Sequence, residues 1–145
     1  MLVHWYRRTV VDPSLAGRTF PPTAPHDVTA DHVRAFAEAT GTPWAEGDPA
    51  PPTYPIVVAF AAMQDLMHDP EVGIELRNVI HGEQRFAYQR PVATGDVLTA
   101  TLTVDSLRQI GGADIIATTS EITDSSGAVV CTGKATLVHS SGGAA

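Results

Sequence analysis

The first run that could do chemistry is HGEQRF at residues 81–86. His81 can give or take a proton near neutral pH. Glu83 and Gln84 add a carboxylate and an amide able to hold a polar ligand, and Gly82 leaves the backbone accessible between them. Arg85 and Arg90, on the same stretch, could engage anionic groups such as phosphates. Upstream, Glu46 and Asp48 sit in a loop, and Thr53 and Tyr54 open an apolar stretch. These groups suit proton transfer at, or hydrogen bonding to, a polar substrate. The remaining histidines, His4, His26, His32, His68 and His139, show no metal-ligand spacing, and no metal or cofactor is expected. The lone cysteine, Cys131, alternates with Val129 and Gly133 and reads as a buried structural thiol, which excludes an internal disulfide.

The elements that must position these residues are legible from period and punctuation. Thr29 is placed to cap a short amphipathic helix carrying Val33, Phe36, Ala37 and Thr40 on one face, and Gly41 is placed to end it. Residues 41–52, GTPWAEGDPAPP, form a loop by composition. Thr53 can cap a second helix over residues 54–67 that is apolar almost all round and is expected to be buried on nearly every side. Residues 81–98 read as a strand, a Pro-containing break, a plain Gly95-Asp96 turn and the start of another strand. In that next strand Leu98, Ala100, Leu102 and Val104 alternate with Thr99, Thr101, Thr103 and Asp105, a period of two. A Gly111-Gly112 turn, a strand over residues 115–123, a loop at residues 124–127 and a last strand over residues 128–138 follow. One long apolar helix ahead of consecutive antiparallel strands is an α+β pattern, with a curved sheet wrapped round the helix. On that pattern a histidine at the start of a strand is read equally as a hydrogen-bonded strand-end or interface residue, and Thr53 and Tyr54 as a cap and a packing aromatic.

The 145 residues suit one domain, with 43% hydrophobic and 17% charged residues. We expect a single domain over residues 1–145, with an irregular, Pro-rich start that wraps the surface up to residue 28. Residues 1–15 are an N-terminal extension and residues 140–145 a disordered tail. A formal net charge of −7 gives no footprint for nucleic acid. The start lacks a signal-like apolar region, and the longest apolar run is far short of the ~20 residues a membrane span needs. A soluble cytoplasmic protein is expected.

Five pieces, in order, carry a family resemblance: AGRTFPP at residues 16–22, VTADHVRAFAEATG at 28–41, PPT at 51–53, HGEQRFAYQRPVATGD at 81–96 and TDSSG at 123–127. With this order and spacing the chain resembles the MaoC-like hotdog-fold dehydratases, in their N-terminal-type, non-catalytic half. The resemblance implies a sheet wrapped round one central helix. It also implies 3-hydroxyacyl thioester substrates on acyl carrier protein or coenzyme A, reversibly dehydrated to the trans-2-enoyl thioester without metal or redox cofactor.

That reaction needs a base for the proton beside the thioester carbonyl, an acid for the departing hydroxyl, and a hydrogen-bond donor for the enolate oxygen. Catalytic members of the family carry an Asp and a His in a motif close to Gly-Asp-x-Asn-Pro-x-His after the first helix. Here that place reads Gly41-Thr42-Pro43-Trp44, with no His before the central helix. An alternative alignment on Gly47 and Asp48 keeps an Asp but puts Thr53 at the His position. Neither threonine can act as a base near neutral pH.

The chain is therefore expected to be a substrate-binding or structural subunit that pairs with a second hotdog chain supplying the Asp and His, in fatty-acid or polyketide-type metabolism. Its expected substrate contacts are Thr53, Tyr54, His81, Gly82 and Gln84, and His81 and Asp48 are the candidates for any catalytic role. Two alternatives stand beside this. One is a self-sufficient homodimeric dehydratase or acyl thioesterase, with Glu46, Asp48 or Glu83 activating water. The other is a non-enzymatic acyl-binding or assembly module.

Overall fold

A computed structural model of the chain describes residues 11–140. The first helix, α1 (Ala30–Thr40), starts where Thr29 accepts a hydrogen bond from the His32 amide at 3.1 Å. It ends at Gly41, whose φ of 67° is the left-handed turn that glycine adopts without strain. The central helix, α2 (Ile56–His68), starts later than its apolar pattern predicts. Pro55 is its N-cap with no side-chain bond, so Thr53 is not the cap. Instead Thr53 and Tyr54 lie in tight turns whose carbonyls take the Ile56 and Val57 amides at 3.1 Å. Two prolines just upstream, Pro51 and Pro52, and Pro55 itself favour such turns over a longer helix.

Five strands make one antiparallel sheet: β1 (His26–Asp27), β2 (Val79–Tyr88), β3 (Val97–Ile110), β4 (Ala113–Thr123) and β5 (Val129–Ser140). Their order is β1-β3-β4-β5-β2, so β2 pairs with β5 and not with its sequence neighbour β3. The Pro-containing break after Tyr88 thus crosses the sheet. Irregularities in β2, β3 and β4 help the sheet curl round α2. Leu98, Ala100, Leu102 and Val104 are all fully buried, as the alternation predicts. They meet Val58, Ala59, Ala62, Met63, Leu66 and Met67 of α2. Removing such aliphatic side chains from water is worth about 1.5–3 kcal/mol each. Burial of α2 is less complete than predicted: Phe60 stays 43% exposed, and Gln64 and Asp65 follow it on the open side.

Residues 17–28 are less irregular than predicted. They run beside β3 and take up its outer edge: Gly17, Phe20 and Thr23 donate backbone bonds to Val104, Leu102 and Ala100 at 2.8–3.0 Å. Phe20 and Val28 are buried with them. The first ten residues of the expected extension, and residues 141–145 of the expected tail, lie outside the described residues. Val11 and Leu15 of that extension are in the core. Among the described residues no helix is long and apolar enough to cross a membrane.

Candidate functional site

The ends of α1 and α2 meet the concave face of β2 in a groove of about 540 Å³, lined by Phe36, Thr40, Thr53, Ile56, His81, Gly82, Glu83, Gln84 and Phe86. Four of the five expected substrate contacts, Thr53, His81, Gly82 and Gln84, come together here from segments about thirty residues apart. The fold does this by pleat and bulge. His81, Gln84 and Phe86 pair with Leu137, Ala135 and Gly133, and the register shift around Gly82 keeps His81 and Gln84 on one face despite their odd spacing. His81 Nε2 and Gln84 Oε1 are 3.0 Å apart, so the imidazole donates to the amide oxygen. No carboxylate is paired with His81 among the described residues. Glu83, at the groove rim, is ion-paired with Arg85.

The fifth residue, Tyr54, is not a groove residue. It is fully buried, and its hydroxyl lies 2.8 Å from His26 Nε2 and 2.7 Å from His32 Nδ1. Burial pushes its pKa up to about 12 and, with the nearby charge of His32, pushes that of His26 down. The ring contacts Phe36 edge-on at 5.3 Å, so Tyr54 props a groove wall from behind.

Asp48 lies apart from the groove as well. It borders a second cleft of about 600 Å³ whose walls include Thr42, Trp44, Pro52, Tyr88 and Pro91. There its carboxylate closes the loop on itself, accepting the Ala45 amide at 3.0 Å, while the Trp44 indole N–H donates to its carbonyl at 3.2 Å. Thr42, at the position where the resemblance expects the Asp, shares a 3.2 Å hydroxyl contact with Thr40. Arg90 is not available to a phosphate. Its guanidinium is taken by Asp96 at 2.8 Å and Asp124 at 3.1 Å, which ties the break after β2 to the β4–β5 loop. The Ser126 hydroxyl and Arg90 hold Asp124 at a pKa of about 2.

Three groups escape a reading of the sequence because their surroundings are set by segments distant along the chain. One is the Tyr54 cluster. The second is a buried pair, His139 Nδ1 to Asp114 Oδ2 at 3.0 Å, with His139 Nε2 accepting the Glu75 amide at 3.1 Å. One imidazole nitrogen thus ties β5 to β4 and the other holds the turn before β2. The third is the hydroxyls of Thr118 and Ser120, buried on the concave face of β4 without a hydrogen-bond partner among the described residues. Among the described residues no three potential ligands converge on a metal position.

The groove therefore offers apolar walls, two threonines, an imidazole, an amide and an ion-paired carboxylate, without an Asp–His dyad. Among the described residues the sheet edge beside it is open, since β2 is the last strand on that side.

Residues 14–133 match the family described as "FAS1-like, dehydratase domain region". The UPF0336 protein of Streptomyces avermitilis is 38% identical over 141 residues, covering 88% of this chain and 94% of that one. A UPF0336 protein of Leifsonia xyli is 41% identical, covering 88% and 95%. Among solved structures, the HadBC (3R-hydroxyacyl-ACP dehydratase) complex from Mycobacterium tuberculosis superposes with a TM-score of 0.74 at 27% identity, over 86% of this chain and 96% of that chain. A MaoC-like dehydratase superposes with a TM-score of 0.72 at 24% identity, over 87% and 42%.

Proposed function

The chain belongs to the FAS1-like dehydratase region family, a hotdog-fold group, and from that premise we propose that it is the substrate-binding subunit of a (3R)-hydroxyacyl thioester dehydratase or hydratase. The observation that carries this reading is the contrast between a formed groove and a missing dyad. By the resemblance, the Asp position holds Thr42 with no His after it, or in the alternative alignment Asp48 is kept and Thr53 takes the His position, while Thr53, His81, Gly82 and Gln84 converge on one apolar-walled groove. In the proposed assembly, β2 pairs along its open edge with a second hotdog chain, which supplies the base and the acid. This chain supplies the wall along which the acyl portion of an acyl-ACP or acyl-CoA lies, with His81 and Gln84 as hydrogen-bonding groups for its polar end. Relatives of matching length, and the likeness to a two-component dehydratase, support this division of labour.

A self-sufficient thioesterase is less well supported. Of its candidate carboxylates, Asp48 is tied into its own loop and Glu83 into an ion pair, while Glu46 lies out in solvent.

The test is hydration of a trans-2-enoyl-CoA by the purified chain alone and with a catalytic MaoC-type partner. Activity is expected only for the mixture, and His81→Ala should raise KM more than it lowers kcat. Substantial activity of the chain alone, abolished by His81→Ala, would overturn the reading.

A further inference from the structure

Two rows of side chains cross the concave face from the groove towards the middle of the sheet. One runs Phe86, Gly133, Ser120, and the other Gln84, Ala135, Thr118. The middle members are the smallest residues available. At Gly133 the empty space is used: a Cβ there would lie 3.1 Å from Phe86 Cε1 and 3.2 Å from Gln84 Nε2, so the ring and the amide rest on the glycine backbone. Beyond them sit the Ser120 and Thr118 hydroxyls, each residue 1% exposed and its hydroxyl without a partner among the described residues. An unpaired buried hydroxyl is costly and calls for an oxygen or nitrogen that is not part of the folded chain.

We propose that Phe86, seated on Gly133, is the stop that sets how deeply an acyl chain enters the groove, and that Ser120 and Thr118 form a polar floor behind it that favours a chain bearing an oxygen at its far end. The reading rests on the groove being the acyl site. With the ring in place a chain ends at Gln84 and Phe86. With the ring displaced, the strip over Gly133 and Ala135 becomes its continuation. A plain alkyl end would then leave both hydroxyls unpaired, whereas a hydroxylated end would pair with one of them.

The test uses 1-alkanols and α,ω-alkanediols of increasing length, read by amide chemical shifts on the full chain. In the native chain the shifts should stop at Gln84 and Phe86. In Phe86→Ala they should reach Ser120 and Thr118, and each further methylene accepted should tighten binding about fourfold, the equivalent of burying one CH2. The diol should then bind better than the alkanol of equal length, and Ser120→Ala with Thr118→Val should erase that difference. Gly133→Ala, which pushes the ring into the groove, should shorten the limit. Should Phe86→Ala not fold, Phe86→Leu and Gly133→Ala carry the test in opposite directions. A length limit unmoved by folded variants would overturn the proposal. Chains that stop and extend as described, alongside a mixture that hydrates no enoyl thioester, would refute the proposed function and leave the stop standing.

Discussion

Along β3 the outer edge is occupied by residues 17–28 of the same chain, anchored by buried Phe20 and Val28. Along β2, at the opposite end of the sheet, ten residues present an edge with no strand beside it among the described residues, and Ile80 is 64% exposed. An unpaired strand edge invites pairing, and chains that must stay alone blunt it with charge, proline or a covering segment. Here one edge is covered and the other is open beside the groove. In the proposed assembly the open edge is the surface on which the second chain docks.

The sharpest way to break this contrast is to attack the covered edge. Phe20→Ala should cost about 3–5 kcal/mol, as for a core aromatic truncated to a cavity, read by chemical denaturation. A small loss would mean that the segment is only laid against β3.

A second, milder test uses acid. His26 begins β1 at the covered edge, and burial lowers its folded-state pKa below 6.5. The unfolded chain therefore binds this proton first. Stability is complete above about pH 6.5 and declines as pH falls towards the folded value. Asp27, His32 and Tyr54 are the titratable groups near it. The unfolding midpoint of the native chain should drop over that interval, and His26→Gln should flatten the slope. An unchanged slope would place the titration elsewhere.

The smallest expected change in stability lies at the open edge. Ile80→Lys should shift the stability of the isolated chain by less than about 0.5 kcal/mol. It should nevertheless abolish association with a catalytic partner, measured by analytical ultracentrifugation. A large stability loss in the isolated chain would show that this edge is already packed.

The sequence made the covered half of the molecule more legible than the open half. Period-two alternation at Leu98, Ala100, Leu102 and Val104 and the Thr29 and Gly41 caps are local signals, and the structure follows them. The crossing of β2 to pair with β5 is not local, because nothing in residues 79–88 names the strand they will meet. The groove was half legible. His81, Gly82 and Gln84 stand together in one hexapeptide, and Thr53 is marked by its place ahead of an apolar helix, although it does not cap that helix. Tyr54 shared that place, yet turns inward, because its fate depends on His26 and His32, two side chains far behind it in sequence. Phe86, Gly133 and Ser120 come from three strands and join only through register.

The Tyr54 hydroxyl has a consequence of its own. It carries a single hydrogen yet touches two imidazoles, so it can point that hydrogen at only one of them, and the other must point a hydrogen back. His26 and His32 are therefore never equivalent: the trio is a short arrow that runs from the strand to the helix or from the helix to the strand. It can take up one extra proton with every bond intact and merely fix its direction. A second would leave the phenol hydrogen facing two donors.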